Sequence, residues 1–385
     1  MIDLKIAELR KRNDMTQQEL GDILSVSYKT ISKWENGTCF PDINILPELS
    51  KIFNVSVDAL LGLVPLDSSH YRPSNSGQSD YWENRVEYLK KTRATMWNAD
   101  YLKFLVCDVW KISKPVEILD CGCGYGALGL MLLPLLPKGS KYVGVDFSEK
   151  MIAEAKKMYE KENYEAEFIH SDICGLQTMK HYDMVISQAV LRHVNNAEIF
   201  LHKMIEMTKL GGMVISIECN REFETDGLFI EGMNYASLCE KQGLKKMWQK
   251  ELEMQNRDYS VAMKIPHYMR KAGLKGIDCR MNDKVLYLEP EKEGYQQILA
   301  DRIKANHWDD QKNKTEIESD VAYFVNHGMS RDEAMNYCNQ QNGIVKYMKE
   351  HREDIALTEV GGLMISYGWK RYIGKGNIVC RKNLL

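Results

Sequence analysis

Apolar side chains in the first sixty residues recur at three- and four-residue spacings. Leu20, Leu24, Val26, Ile31 and Trp34 form one set; Leu46, Leu49, Ile52, Val57 and Leu60 continue it. This spacing puts one apolar stripe on each short helix and predicts a small helical core. Thr16 followed by Glu19 is a capping box that opens a helix over 17–24. "SVS" then turns the chain, and a second helix runs from 28 to about 36, stopped by Gly37. Two short helices joined by a three-residue turn predict a helix-turn-helix.

The pattern changes twice more. Residues 63–80, "LVPLDSSHYRPSNSGQSD", have linker composition. From 81 a helical stretch runs to about 110. Short apolar runs then alternate with helical ones: "VEILDC", "KYVGVDF", "AEFIHSD", "DMVISQA" and "GMVISIEC". That alternation predicts a parallel sheet covered by helices. Segments at about 221–262 and 290–357 exceed a minimal fold of this kind, and the second is strongly helical. Thr315 is expected to cap one of its helices. Ser330 with Glu333 forms a capping box for another, which reaches about 349. Either "GLMISYG" or "NIVCRK" supplies the final strand.

With 385 residues the chain is long enough for two or three domains. A formal net charge of −3 excludes a general polyanion binder. No apolar run approaches the roughly 20 residues that span a bilayer. "MIDLKIAELRKR" lacks the apolar core of a signal peptide. The ten cysteines are scattered, which reads as reduced thiols and a cytoplasmic setting.

"ILDCGCGYGALGL", 118–130, holds the candidate chemistry. Cys121 and Cys123 are a weak metal pair, because structural zinc sites need four ligands and no second cluster follows. Gly124, Gly126 and Gly129 satisfy G-x-G-x-x-G after a strand, and Asp146 ends the next strand 20 residues after Gly126. Taken alone, that spacing also suits a nicotinamide dinucleotide.

Two resemblances sharpen this picture. "MTQQELGDILSVSYKTISKWENG" with "LPELSKIFNVSVDALLG" resembles the Cro/C1-type (Xre) repressor domain over 4–62. The resemblance implies that Tyr28, Lys29 and Lys33 face base edges in the major groove. It puts Gln17 near a phosphate, with Ser32 and Asn36 within reach of the backbone. Residues 1–62 nonetheless carry seven Lys or Arg against nine Asp or Glu, a net −2. A single such module binds weakly, so a homodimer on a two-fold site in double-stranded DNA is expected.

"LDCGCGYG" resembles motif I of class I S-adenosylmethionine-dependent methyltransferases. "YVGVDFS", "FIHSDI", "YDMVISQAVLRHV" and "TKLGGMVISIE" follow in the order of that family's later motifs. "PHYMRKAGLKGIDCR" looks like its last helix and sixth strand. The implied architecture is an all-α helix-turn-helix domain (1–62), a linker (63–80) and an α/β Rossmann-like methyltransferase domain with helical inserts (81–385).

The resemblance implies S-adenosyl-L-methionine as cofactor, with the backbone of Gly122, Cys123, Gly124 and Gly126 against its amino-acid end and Asp120 orienting that end. Asp146 would grip the ribose hydroxyls and Asp172 the adenine amino group. Phe147 and Ile173 would pack on the adenine faces, and Met151 and Gln188 complete the set. Gln188, Arg192, His193, Glu218, Asn220 and Arg221 are acceptor-side candidates, with no catalytic base identified. Neither an Asn/Asp-Pro-Pro-Tyr/Phe run nor a Pro-Cys dipeptide follows, which removes the usual DNA methylase chemistries. The motif style is similar to small-molecule methylases of the ubiquinone-biosynthesis type. A transcriptional regulator whose methyltransferase-like domain senses S-adenosylmethionine or another ligand without turnover is the alternative.

Overall fold

The computed structural model describes residues 4–12, 15–53, 55, 57–62, 89–90, 96–162, 164–176, 179–194, 196–221, 227–239, 241–255 and 257–371. The chain forms two compact units, Met1–Tyr71 and Arg72–Leu385. The expected linker, residues 81–88 and 91–95 of the helical stretch from 81, and "NIVCRK" lie outside the described residues.

The first unit is helical: α1 (Ile6–Arg12), α2 (Gln17–Ile23), α3 (Tyr28–Glu35), α4 (Leu46–Ile52) and α5 (Val57–Leu60). Thr16 and Glu19 make both bonds of the capping box. Ser27 caps α3, its Oγ accepting from the Thr30 N–H at 3.2 Å. Between α2 and α3, Ser25 takes a left-handed conformation (φ 56°). The chain then passes so close to α2 that a Cβ on Gly21 would lie 2.7 Å from the Val26 carbonyl oxygen. Ile6, Leu20, Ile31, Trp34, Leu49 and Leu60 fill the core.

The second unit is built on a seven-stranded sheet in the order β3-β2-β1-β4-β5-β10-β7. The strands are β1 (Glu117–Cys121), β2 (Lys141–Asp146), β3 (Ala166–His170), β4 (Tyr182–Gln188), β5 (Thr208–Cys219), β7 (Lys275–Met281) and β10 (Leu363–Trp369). β1 to β5 pair in parallel, and β10 runs antiparallel between β5 and β7. "GLMISYG" is thus the strand inserted last. Residues along each central strand alternate between two cores: Ile118, Met184, Ile186 and Ile215 on one face, Leu119, Val185 and Val214 on the other. This is the double burial expected of a sheet covered on both faces. The described covering helices are α6 (Ala99–Phe104), α7 (Ala127–Leu132), α8 (Glu149–Glu162), α9 (Ala197–Glu206) and α12 (Val261–Lys271).

The inserts carry α10 (Tyr235–Cys239), α11 (Gln242–Gln255), α13 (Tyr295–Ala305), α14 (Lys314–Asn326) and α15 (Arg331–Glu350). Ser330 and Glu333 cap α15 as read from the sequence. Thr315 does not cap α14: the cap is Asn313, whose side chain accepts from the Thr315 and Glu316 N–H groups. The sequence reading also missed a second sheet, in which β9 (Leu357–Val360) joins β6 (Leu228–Ile230) to β8 (Val285–Leu288), all antiparallel. Gly211 and Gly212 form a bulge inside β5, with Gly211 at φ 83°.

Candidate functional site

The site is built at the carboxyl ends of the parallel strands, where open α/β sheets bind ligands. β1 ends in the glycine loop. Gly122, Gly124 and Gly126 all adopt left-handed φ, of 78°, 54° and 80°. Only glycine takes such angles without steric cost. The Gly122 and Cys123 N–H groups donate to the Val145 carbonyl, at 2.8 and 3.0 Å, and tie the loop to β2. A Cβ on Gly126 would lie 2.6 Å from the Tyr159 ring, and one on Gly122 would lie 2.6 Å from Val190. Nothing lies within 4 Å of a Cβ placed on Gly124. The loop is therefore packed underneath and open at Gly124.

Asp146 fixes the open segment. Its Oδ2 accepts from the Gly124 N–H at 2.8 Å and its Oδ1 from the Ser148 N–H at 2.9 Å. Burial pushes its pKa up, and the backbone donors oppose that rise. Each oxygen retains a second lone pair for a ligand. Ser148 provides the side-chain cap at the start of α8, its Oγ accepting from the Met151 N–H at 3.2 Å.

Asp120 lies beneath the loop, 2 % exposed. Its Oδ2 accepts from the Tyr142 hydroxyl at 2.6 Å, and its buried Oδ1 has no partner. Burial raises it to about 7; the Tyr142 bond lowers it and the Asp146 charge adds to the rise. Tyr142, Tyr159 and Phe168 pack as one aromatic group under the glycines, and the Tyr159 hydroxyl donates to the Gly126 carbonyl at 2.8 Å.

The remaining expected cofactor residues divide by exposure. Phe147 is 42 % exposed, and its carbonyl lies 2.9 Å from Nε2 of His170. Asp172 is exposed, its Oδ1 accepting from the Cys174 N–H at 3.0 Å. Ile173 and Met151 are buried in cores. Cys121 and Cys123 are buried, and burial holds both thiols well above their ordinary range, against thiolate chemistry. Among the described residues no group of three His, Cys, Asp or Glu is placed to hold a metal.

The acceptor-side candidates do different jobs. Gln188 ends β4 and its Oε1 accepts from Nε1 of Trp97 at 3.0 Å. Residues 96–101 are hooked to 281–284: Asn282 donates to the Met96 carbonyl at 2.7 Å, Tyr101 to the Met281 carbonyl at 2.6 Å, and Lys284 to Asn98 at 2.9 Å. Ala189, just past Gln188, is held at φ 56°. Glu218 holds the turn that follows, its Oε1 accepting from the Val190 and Leu191 N–H groups at 2.9 and 2.8 Å. That engagement makes Glu218 a structural brace. Asn220 is buried, its N–H donating to the Gly362 carbonyl at 2.7 Å, while Arg221 is half-buried. Arg192 and His193 sit in the 3-10 turn after β4. The Trp97–Gln188 pairing spans 91 residues and left no local signal.

In the first unit, Tyr28, Lys29, Lys33 and Asn36 are exposed along α3 and Ser32 is half-buried. Gln17 is engaged internally: its Nε2 donates to Oε2 of Glu35 at 2.7 Å, and Arg10 binds both oxygens of the same carboxylate.

A family described as a methyltransferase domain matches residues 112–300, and one described as a helix-turn-helix matches 6–60. Ubiquinone biosynthesis O-methyltransferase of Bradyrhizobium diazoefficiens is 29% identical over 177 residues, 44% of this chain and 69% of that protein. The protein of the same name from Rickettsia akari is 34% identical over 29% of this chain and 42% of its own length. That from Nitrobacter winogradskyi is 29% identical over 31% of this chain and 45% of its own length. The chain thus spans 69% of the first of these relatives and under half of the other two. Among solved structures, Haemonchus contortus phosphoethanolamine N-methyltransferase 2 is 14% identical with a TM-score of 0.40, covering 77% of this chain and 61% of that one. Two segments of the chain thus match described domain families in order, a helix-turn-helix over 6–60 and a methyltransferase domain over 112–300.

Proposed function

We propose that the second domain transfers the methyl group of S-adenosylmethionine to a small organic acceptor, and that the first binds a two-fold DNA site as a homodimer. The observation that carries the methyl-transfer reading is the glycine loop: three left-handed glycines, open at Gly124, with the Gly124 N–H held by Asp146. When bound, the cofactor supplies an electrophilic methyl group on a sulfonium. The buried, unpartnered Oδ1 of Asp120 fits its cationic amino-acid end. Asp146 holds the loop and keeps lone pairs for the ribose, while exposed Phe147 and Asp172 suit the adenine ring and amino group. Residues 96–101, pinned to 281–284 and Gln188, help exclude water from the acceptor side. Placement of the acceptor and exclusion of water supply the acceleration.

Calorimetry with S-adenosylhomocysteine tests the cofactor reading; no binding at millimolar ligand overturns it. Release of S-adenosylhomocysteine from labelled cofactor in a metabolite extract tests turnover. For the DNA-binding domain, selection from random duplex DNA is expected to return a palindrome bound with steep salt dependence.

A further inference from the structure

Arg192 carries a guanidinium whose Nε and Nη1 are buried with no hydrogen-bond partner. Its Nη2 lies 3.4 Å from Nε2 of His193, a long contact to a group without negative charge. Its Cζ stands 5.7 Å from the centroid of the Tyr259 ring, and Cζ of Arg257 stands 4.8 Å from the same centroid. Trp248 stacks on that ring at 5.4 Å. Two guanidiniums therefore share one aromatic ring.

The carboxylates around this ring and beside the Arg192 turn have other partners. Buried Glu251 accepts from Nη1 of Arg257 at 3.4 Å and from the Tyr323 hydroxyl at 3.2 Å. Asp258 takes Nζ of Lys264 at 2.7 Å and the Ser260 hydroxyl at 2.7 Å. Glu218 is engaged by the Val190 and Leu191 N–H groups. Among the described residues no carboxylate pairs with Arg192. A guanidinium stays protonated in a protein, so Arg192 cannot shed its charge as a buried lysine does. Attraction to the ring face offsets only part of the lost hydration. The position is four residues beyond Gln188, in the turn at the carboxyl end of β4.

We propose that the methyl acceptor carries a carboxylate- or phosphate-type oxyanion that docks on Arg192 beside the Tyr259 ring. This rests on the reading that the domain methylates a small acceptor, and it adds the acceptor's charge. The oxyanion gives Arg192 charge-assisted hydrogen bonds and discriminates against neutral analogues, which leave its donors unpaired.

The test uses the full chain saturated with S-adenosylhomocysteine, whose binding is first titrated by itself. Thermal midpoints are then followed with added benzoate, inorganic phosphate or benzamide, in wild type, Arg192→Met and Arg192→Lys. One of the two anions is expected to raise the wild-type midpoint while benzamide does not; which anion acts separates carboxylate from phosphate recognition. Arg192→Met is expected to weaken the effective anion roughly tenfold or more, and Arg192→Lys to retain part of the response. The proposal is overturned if the anion stabilises Arg192→Met as much as wild type, if benzamide matches benzoate, or if neither anion acts. Failure of S-adenosylhomocysteine to bind, with the Arg192-dependent anion response intact, overturns the cofactor reading and leaves the anion site standing.

Discussion

Tyr142 donates its hydroxyl to Oδ2 of Asp120 at 2.6 Å, and Oδ1 of the same carboxylate faces no donor. Burial raises this half-satisfied acid to about 7. In the free protein Asp120 keeps a proton that the unfolded chain has already released. Its contribution to stability is therefore full below about pH 4 and is lost as pH rises to about 7. A cationic ligand group beside Oδ1 favours the ionised form. Affinity for S-adenosylhomocysteine is expected to rise roughly tenfold from about pH 6 to about pH 8, with proton release at the lower end. Asp120→Asn should flatten that profile. Calorimetry in buffers of different ionisation enthalpy measures both, and a flat wild-type profile would count against Asp120 as the ligand's partner.

The glycines of the loop differ in what they tolerate. Gly126→Ala combines a left-handed φ of 80° with a Cβ 2.6 Å from the Tyr159 ring. It is expected to cost about 2–4 kcal/mol of stability. Gly124→Ala meets no atom within 4 Å, so only its φ of 54° is penalised, about 1 kcal/mol. Its larger effect should be on S-adenosylhomocysteine affinity. Denaturant melts set against titrations separate the two; equal stability losses would contradict the open position of Gly124.

Lys29 and Lys33 stand exposed on α3. Each alanine substitution should weaken DNA binding. If both contact phosphates, each should also lower the slope of log K against log salt by roughly one. If instead they read bases, the salt slope changes less and the selected sequence relaxes. Fluorescence anisotropy over a salt series distinguishes these outcomes, and unchanged binding in the double variant would sink the α3 assignment.

Glu35 is gripped by Arg10 through both oxygens, at 2.6 and 3.0 Å, and by Gln17 at 2.7 Å. Burial would raise its pKa, but the hydrogen bonds from Arg10 and Gln17 outweigh this and hold it below the ordinary carboxylate value. A lowered folded pKa means stability that is present above the unfolded value and lost as pH falls through the folded one. Glu35→Ala leaves Arg10 without this partner and should destabilise the helix-turn-helix domain by about 3 kcal/mol or more at neutral pH. Thermal melts from neutral to acid pH test it: the variant's deficit should shrink as pH falls.

Gly21→Ala is a purely steric case. Its Cβ would meet backbone, the Val26 carbonyl oxygen, at 2.7 Å, so no side-chain rotation relieves it. A loss of about 1–3 kcal/mol is expected in denaturant melts of the domain.

Local pattern determined a great deal by itself. The capping boxes at Thr16 and Ser330, the central strands and the glycine loop depend on neighbours within a few residues, and the sequence carries those neighbours explicitly. Asn313 displaced Thr315 as a cap because both are good caps two residues apart, and only the backbone decides between them. What the tertiary structure decided is long-range pairing. β10 enters the sheet between β5 and β7, and β6, β8 and β9 meet although their sequences are far apart. Gln17 faces Glu35, Trp97 faces Gln188, and Arg192 shares the Tyr259 ring with Arg257. Met151 and Ile173 turn into cores while Phe147 stays out. None of these partners leaves a periodicity in the chain, since each contact is fixed by how elements pack and not by the residues flanking it.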